Sequence, residues 1–212
     1  AVVDLGDETI APTLEGSEIA GDTPCPKADM SEARVSKFEQ APPMCIEDGK
    51  TYTAMVSTNK GDFAIVLDPI KAPLATNNFV VLARYKYFDG TKCHRAITDF
   101  VVQCGDPLGV GIGNPGYTFG PIENAPQDDV YPQGTLAMAR GANDAESMGS
   151  QFFIVYEDST IPSDLAGGYT VFGQITSGLD EFIDAYVTAG TADGSTDGQP
   201  STPTFIESIT IR

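Results

Sequence analysis

The chain of 212 residues has no tryptophan, a single histidine (His94), and only 12 basic residues against 30 acidic ones. Each shortage closes off a class of function. A net charge of −18 repels a nucleic-acid duplex or an anionic bilayer over most of the surface, so no nucleic-acid partner is expected. No apolar run approaches the roughly 18–20 residues that a membrane-spanning helix needs. One histidine and four cysteines are too few for an ordinary multi-ligand metal centre, and neither a metal nor a cofactor is expected. A Ser-His-Asp triad would have to use His94, and no G-x-S-x-G elbow accompanies it; His94 reads as a partly buried structural residue. Gly109, Gly111, Gly113 and Gly116 match neither a dinucleotide nor a phosphate-loop spacing, and the lysine of the latter is missing. Asp193-x-Ser195-x-Asp197-Gly198 resembles the start of a calcium loop, but its twelfth position is Thr204 instead of Glu, which leaves an acidic turn.

What is present describes a folded protein. Hydrophobic residues make up 41% of the chain and charged residues 20%, enough for a core in one large domain or two small ones. Glycine (22) and proline (15) are frequent, which predicts many turns between short strands. The chain opens on Ala1 without a basic, apolar leader, so a signal peptide is expected to have been removed or never to have existed. Cys25, Cys45, Cys93 and Cys104 form no C-x-x-C pair, and four cysteines allow three pairings. Cys93–Ile97 and Phe100–Cys104 read as strands joined by Thr98-Asp99. A two-residue loop sets Ile97 opposite Phe100 and, counting outward, Cys93 opposite Cys104. Opposite residues hold their Cβ atoms roughly 4.5–5.5 Å apart, close to the ~3.5–4.5 Å of a disulfide. That pairing leaves Cys25 with Cys45. Four reduced thiols in a cytosolic protein are the alternative. Two disulfides imply an extracytoplasmic location, whether secreted, periplasmic or membrane-tethered.

Three regions are expected. Residues 1–24 carry six acidic residues and no basic one and read as a flexible acidic arm. Residues 25–50 form a Cys-bounded strap packed on the main domain. Within it Ser31–Phe38 reads as a short helix capped by Ser31 and broken by Pro42-Pro43. Residues 51–212 are the main domain. Tyr52–Thr58, Phe63–Leu67, Thr135–Ala139, Phe152–Val155, Tyr169–Ile175 and Phe205–Ile211 read as strands. Pro73–Tyr85 reads as a helix with Pro73 in its first turn and Ala75, Phe79, Leu82 and Ala83 on one face. Leu179–Val187 reads as a second helix, with Ser177 and Asp180 at its start and Leu179, Phe182, Ile183 and Tyr186 as its apolar stripe. Residues 105–134 are mostly loop. Many short strands with two helices point to a mainly β fold, one antiparallel barrel with helices at its ends.

The chemistry concentrates in an ordered series. His94-Arg95-Ala96-Ile97 runs into Phe100-Val101-Val102-Gln103-Cys104-Gly105-Asp106, followed by Met138-Ala139-Arg140, Gly149-Ser150-Gln151-Phe152-Phe153-Ile154 and Tyr169-Thr170-Val171-Phe172-Gly173. Over residues 51–212 the series resembles a cyclophilin-type peptidyl-prolyl cis–trans isomerase. It matches the signatures F-H-R-x-I-x-x-F-x-x-Q-x-G-D, with Cys93 in place of the leading Phe, and G-S-Q-F-F-I. The resemblance implies a cyclophilin-like eight-stranded antiparallel β-barrel closed by two α-helices. It implies an enzyme that speeds X–Pro rotation in folding proteins, acting as a monomer on proline-containing polypeptides. Arg95, Phe100 and Gln103 are then the catalytic candidates. Phe100, Val101, Phe153 and Leu165 match the proline pocket. Ala139 and Arg140 match the stretch that pairs with the substrate main chain, with Gln151 beside it. Gly111 matches an approach point in the neighbouring groove, and Tyr169 stands where many relatives carry His. Asp164 occupies a position that is often Trp, and Val101 replaces a common Met, so weak binding of cyclosporin-type inhibitors is expected. Loop 140–149 is longer than in compact forms. A proline-segment binding module that keeps the groove without catalysis is the alternative function.

An X–Pro bond turns slowly because its partial double bond must twist. Twisting localises the lone pair on the prolyl nitrogen, so a fixed donor there favours the transition state over both planar forms. Arg95 is always charged and carries a rigid fork of donors. Strand alternation sends Phe152 and Phe153 to opposite faces, so only one of them can enter a pocket on a given face.

Overall fold

The computed structural model describes residues 15–187 and 189–212; residues 1–14 of the expected acidic arm lie outside that range. The described chain opens with β1 (Ser17–Ile19) and β2 (Val35–Phe38), which pair in parallel. β3 (Tyr52–Thr58), β4 (Phe63–Leu67) and helix α1 (Pro73–Arg84) follow, then β5 (Lys92–Cys93), β6 (Arg95–Ile97) and β7 (Val101–Cys104). Next come β8 (Val130–Tyr131), β9 (Thr135–Met138), β10 (Phe152–Val155), β11 (Ser159–Thr160) and β12 (Val171–Ser177). Helix α2 (Leu179–Val187), β13 (Asp197–Gly198) and β14 (Thr204–Ile211) complete the chain. Ten strands form one antiparallel sheet in the order β13-β6-β7-β10-β9-β12-β4-β3-β14-β5. Only His94 separates β5 from β6, so the far end of this order returns to its beginning and the sheet curls on itself. With β5 and β6 taken as one interrupted strand and β13 as an appendage, eight strands make the curl. Among the described residues no helix is long and apolar enough to cross a membrane.

Local sequence explains most elements. β3 alternates, burying Tyr52, Ala54, Val56 and Thr58, the period of a strand with one face on a core. Phe182 and Tyr186 of α2 are buried and stack at 5.5 Å, with Phe182 also 5.0 Å from Phe63. Helix α1 is buried beyond its expected apolar face, without a break from Ala75 to Arg84. The strap covers its other side. There Asn77 Oδ1 accepts from the backbone N–H groups of Cys45 (2.7 Å) and Ile46 (3.2 Å), and its Nδ2 donates to Pro43 O (2.9 Å). The start of α1 has no capping side chain of its own. Glu123, from the long loop, supplies the cap: its two carboxylate oxygens accept from Leu74 N–H (3.1 Å) and Ala75 N–H (3.0 Å). Glu123→Ala is expected to cost about 1 kcal/mol, the usual size for a lost cap, read as a lower midpoint in denaturant at unchanged slope.

Three expectations are corrected. Ser31–Phe38 contains β2 instead of a helix. Eight residues are too few to hold a helix without packing, and the barrel provides other partners. Val35 N–H donates to Tyr85 O (3.0 Å) and Phe38 N–H to Pro115 O (2.8 Å). The Phe38 ring is fully buried among Tyr85, Tyr87 and Tyr117. Its carbonyl crosses Gly116, at φ 109°, where any Cβ would collide with it. The acidic arm is not loose as far as residue 24: Ser17 N–H donates to Arg34 O (3.1 Å) and Glu39 N–H to Ile19 O (3.0 Å), so β1 is tied to the strap. The Cys25–Cys45 disulfide closes that strap.

The β6–β7 hairpin also departs from the expected register. Its pairs are Ile97 with Val101, Ala96 with Val102 and Arg95 with Gln103, one residue out of the expected register. The loop is therefore Thr98-Asp99-Phe100, with its middle residue Asp99 left-handed at φ 55°, a conformation Asp tolerates better than most residues. His94 N–H also donates to Gln103 O (3.0 Å), so His94 and Arg95 together face Gln103. This bulge adds back the lost residue and returns Cys93 to Cys104, their Cα atoms 4.0 Å apart in a disulfide.

Candidate active site

The slipped hairpin has a direct consequence for chemistry. Phe100 leaves the ladder and stands at the turn, which is held by Tyr156 N–H on Phe100 O (3.1 Å) and Tyr156 Oη on Ile97 O (2.7 Å). On the outer face of the curl, Val101, Ala137, Phe153 and Val155 form a second apolar cluster, joined by Ile97, Phe100, Ala139, Ile161 and Tyr169. Alternation in β10 divides its two phenylalanines as expected: Phe152 belongs to the barrel core and Phe153 to this outer cluster. The cluster walls a cleft of about 290 Å³, lined by Arg95, Ile97, Phe100, Val101, Gln103, Ala139, Arg140, Phe153, Ile161 and Tyr169. The rings of Phe153 and Tyr169 meet edge to face at 5.3 Å, an arrangement that leaves a flat apolar slot beside a guanidinium.

A neighbouring groove of about 250 Å³ shares Gln103, Ala139 and Arg140 with the first, and adds Gly111, Gln151 and, from loop 140–149, Gly141, Ser147 and Gly149. Its far wall is pinned from below. The Asp106 carboxylate is fully buried and accepts from the N–H groups of Leu108 (2.8 Å), Val110 (2.9 Å) and Gly111 (2.5 Å). Burial pushes its pKa up, but these N–H donors outweigh burial and hold it below the usual value.

A polar chain joins the two clefts. Arg95 Nη1 faces Gln103 Oε1 at 3.4 Å; Gln103 Nε2 donates to Gln151 Oε1 (2.8 Å); Gln151 Nε2 donates to the carbonyls of Gly111 (3.1 Å) and Gly113 (2.8 Å). Beyond it, Arg95 is gripped by Asp197, with Nε to Oδ1 and Nη2 to Oδ2 both at 2.6 Å. Asp197 raises the Arg95 pKa, and Arg95 lowers that of Asp197, so both are charged at neutral pH. Asp197 thus turns away from any calcium role. Its neighbour Asp193 bonds Ser195 (2.6 Å from Oγ), and among the described residues no group of three potential ligands could hold a metal. His94 is buried, and burial lowers its pKa, so it sits neutral behind the site.

Most of the sequence candidates meet here: Arg95, Phe100, Val101, Gln103, Ala139, Phe153 and Tyr169 at the first cleft, Gly111 and Gln151 at the second. Leu165 does not. Leu165 is 94% exposed and lines neither cleft; Asp164 beside it bridges to Gly167 through the backbone and to Arg140 through its carboxylate. Ile161 stands in the pocket instead, a residue without a pattern to mark it. Arg140 borders both clefts, but its side chain is 1% exposed and its donors are spent. It binds Asp164 through two bonds of 2.9 Å, donates to the carbonyls of Gly141, Gly167 and Gly168, and lies 4.8 Å over the Tyr169 ring. The Arg140 bonds hold the Asp164 carboxyl well below the usual carboxylate range. The guanidinium of Arg140 therefore fixes the cleft wall; at most its main chain is left for a substrate.

Residues 53–211 match the family described as cyclophilin type peptidyl-prolyl cis-trans isomerase/CLD. The "Probable peptidyl-prolyl cis-trans isomerase B" of Mycobacterium leprae is 38% identical over 177 residues, covering 77% of this chain and 58% of that protein. The chain thus spans just over half the length of this longer relative. A peptidyl-prolyl cis-trans isomerase of Helicobacter pylori is 41% identical over 131 residues, covering 62% of this chain and 77% of that one. A crystal structure of a Cryptosporidium parvum cyclophilin type isomerase, in the presence of the dipeptide Ala-Pro, superimposes with a TM-score of 0.64 at 30% identity, over 76% of this chain and 98% of that one. With the family's motifs arranged around two adjoining clefts on a curled antiparallel sheet, this chain belongs to the cyclophilin-type peptidyl-prolyl cis-trans isomerase family.

Proposed function

We propose that this chain catalyses cis–trans rotation of X–Pro bonds in folding polypeptides, by non-covalent stabilisation of the twisted amide. The observation that carries this reading is the position of Arg95: a permanently charged donor held at the rim of an apolar slot built by Phe100, Val101 and Phe153. The slot takes the proline ring. Arg95 donates toward the prolyl nitrogen as its lone pair localises, a bond that gains strength only as the amide twists. The chain Gln103–Gln151 orders the donors and acceptors that meet the substrate backbone. The Ala-Pro dipeptide in the Cryptosporidium crystal supports proline-containing polypeptides as substrates. Action as a monomer is part of this proposal. Two disulfides support an oxidising, extracytoplasmic setting. The test is isomerisation of a short proline peptide followed by exchange NMR. Wild-type protein is expected to accelerate the exchange; binding of the peptide without acceleration would favour a proline-segment binding module instead.

Inhibitor affinity follows from the same wall. Where many relatives offer an indole, Asp164 is committed to Arg140, and Leu165 faces solvent. Losing one anchor of that kind costs at least ~2 kcal/mol, roughly thirtyfold in affinity. Titration calorimetry with cyclosporin is expected to show binding weaker by that factor than in a relative with the indole, and nanomolar affinity would contradict it.

A further inference from the structure

We propose that Asp197 is a positioning residue for the isomerisation: its carboxylate fixes the guanidinium of Arg95 so that the remaining N–H groups of Arg95 face the proline slot. The proposal rests on the isomerase reading above and adds a residue to it. Asp197 takes the Nε–H and one Nη2–H of Arg95 side-on, at 2.6 Å each. Two parallel charge-assisted bonds define a plane as well as a distance. Nη1 is directed at Gln103, and Gln103 lines the proline slot. Asp197 is absent from the lining of that slot and borders a separate shallow cleft with His94, Gly111 and Gln199, which meets the slot at Arg95 and Gln103. The carboxylate therefore holds Arg95 from outside the slot and leaves the slot side of the cation open.

The fold places Asp197 there by an excursion between α2 and β14. Residues 191–200 fold back on themselves through a Thr191–Pro200 bridge and an Ala192 N–H bond to Gln199 O (2.8 Å). The tip docks as β13 on β6, with Asp197 opposite Ile97, Gly198 opposite Ala96, and Thr98 N–H on Thr196 O (2.8 Å). Asp197 is thus the diagonal cross-strand neighbour of Arg95 on the same face, within reach of a long side chain. Without it, Arg95 is a partly exposed arm with several rotamers of similar energy. A negative charge beside the cation also weakens its field in the slot. The geometric effect is expected to dominate, because a transition-state donor acts only when it is already oriented.

The experiment compares wild type, Asp197→Ala, Asp197→Asn, Arg95→Ala and the double variant Arg95→Ala/Asp197→Ala, by exchange NMR that separates kcat from KM, with a thermal melt of each. Asp197→Ala is expected to lower kcat by at least about tenfold, the scale of a misplaced catalytic group, with KM within about twofold. Asp197→Asn, which keeps one acceptor oxygen, recovers part of the loss. The double variant is no slower than Arg95→Ala alone, the non-additivity expected of a residue that acts through another. The Nε–H resonance of Arg95, slow to exchange with solvent in wild type, becomes fast in Asp197→Ala. Wild-type kcat or a higher one in Asp197→Ala overturns the proposal, a higher one meaning that the carboxylate competes with substrate for Arg95. An additive loss in the double variant overturns it too. An inactive wild type removes the isomerase reading and this proposal together, whereas an active wild type with an unaffected Asp197→Ala removes only the proposal.

Discussion

Arg95→Ala is expected to lower kcat/KM for a proline peptide by about 10²–10³-fold, the size seen when one transition-state donor is removed. The reasoning is differential binding. In the planar substrate the prolyl nitrogen has no lone pair to offer, so the guanidinium gains little; in the twisted amide it does, and the bond forms in a slot walled by Phe100, Val101 and Phe153. The loss falls on kcat more than on KM. Arg95→Lys restores only part, because a point charge cannot satisfy Asp197 and Gln103 while still facing the slot. Phe153→Ala makes the useful contrast. Phe153 is 6% exposed and packs edge-on to Tyr169, so its removal opens the slot, raises KM and lowers stability as well. Melting curves of all three variants separate unfolding from lost catalysis. A folded Arg95→Ala protein that isomerises as fast as wild type would remove Arg95 from the mechanism.

Opening the hairpin disulfide has the second large effect. Replacing both Cys93 and Cys104 by Ser is expected to cost about 2–4 kcal/mol, the usual range for a disulfide, and to lower Tm by roughly 5–15 °C in a domain of this size. The bond joins β5 to β7 directly beside the His94–Arg95 bulge and one residue from Gln103. It therefore holds together the two strands next to Arg95 and Gln103, and a several-fold loss of kcat/KM should accompany the lower Tm. Cys25 and Cys45 line neither cleft. Replacing that pair should lower Tm through the strap and α1 while kcat/KM stays within about twofold, a change of about 0.4 kcal/mol in transition-state stabilisation. Non-reducing peptide mapping checks the pairing itself, and four free thiols or crossed pairs would refute it.

What was legible in the sequence is local or linear. β3, β4, β10 and α2 occupy the expected residues, because a period of 2 or 3.6 and a first-turn Pro or acid act within a few residues. The order of motifs is enough to identify the cyclophilin family and to nominate Arg95, Phe100, Gln103 and Phe153 as site candidates, which the fold gathers at one cleft. Even the Cys93–Cys104 pair was found by counting along a hairpin, although the count passed over two compensating features, a three-residue loop and a bulge. Both depend on Asp99 adopting a left-handed backbone and on His94 N–H finding Gln103 O, choices that strand pattern alone does not encode.

Tertiary structure decided the rest, and in each case a distant partner was the cause. Val35–Phe38 became a strand because Tyr85 and Pro115 offered backbone partners and three tyrosines enclosed Phe38. Leu165 left the pocket and Ile161 entered it because Asp164 was drawn to Arg140. Asp197, read from its neighbours as part of an acidic turn, became the counter-ion of Arg95 across 102 positions of sequence. Sequence spacing sets which residues share a strand face. Which charge meets which, and which apolar side chain fills a slot, is settled only when separate strands are laid side by side, because pairing and burial energies act through space and carry no signature along the chain.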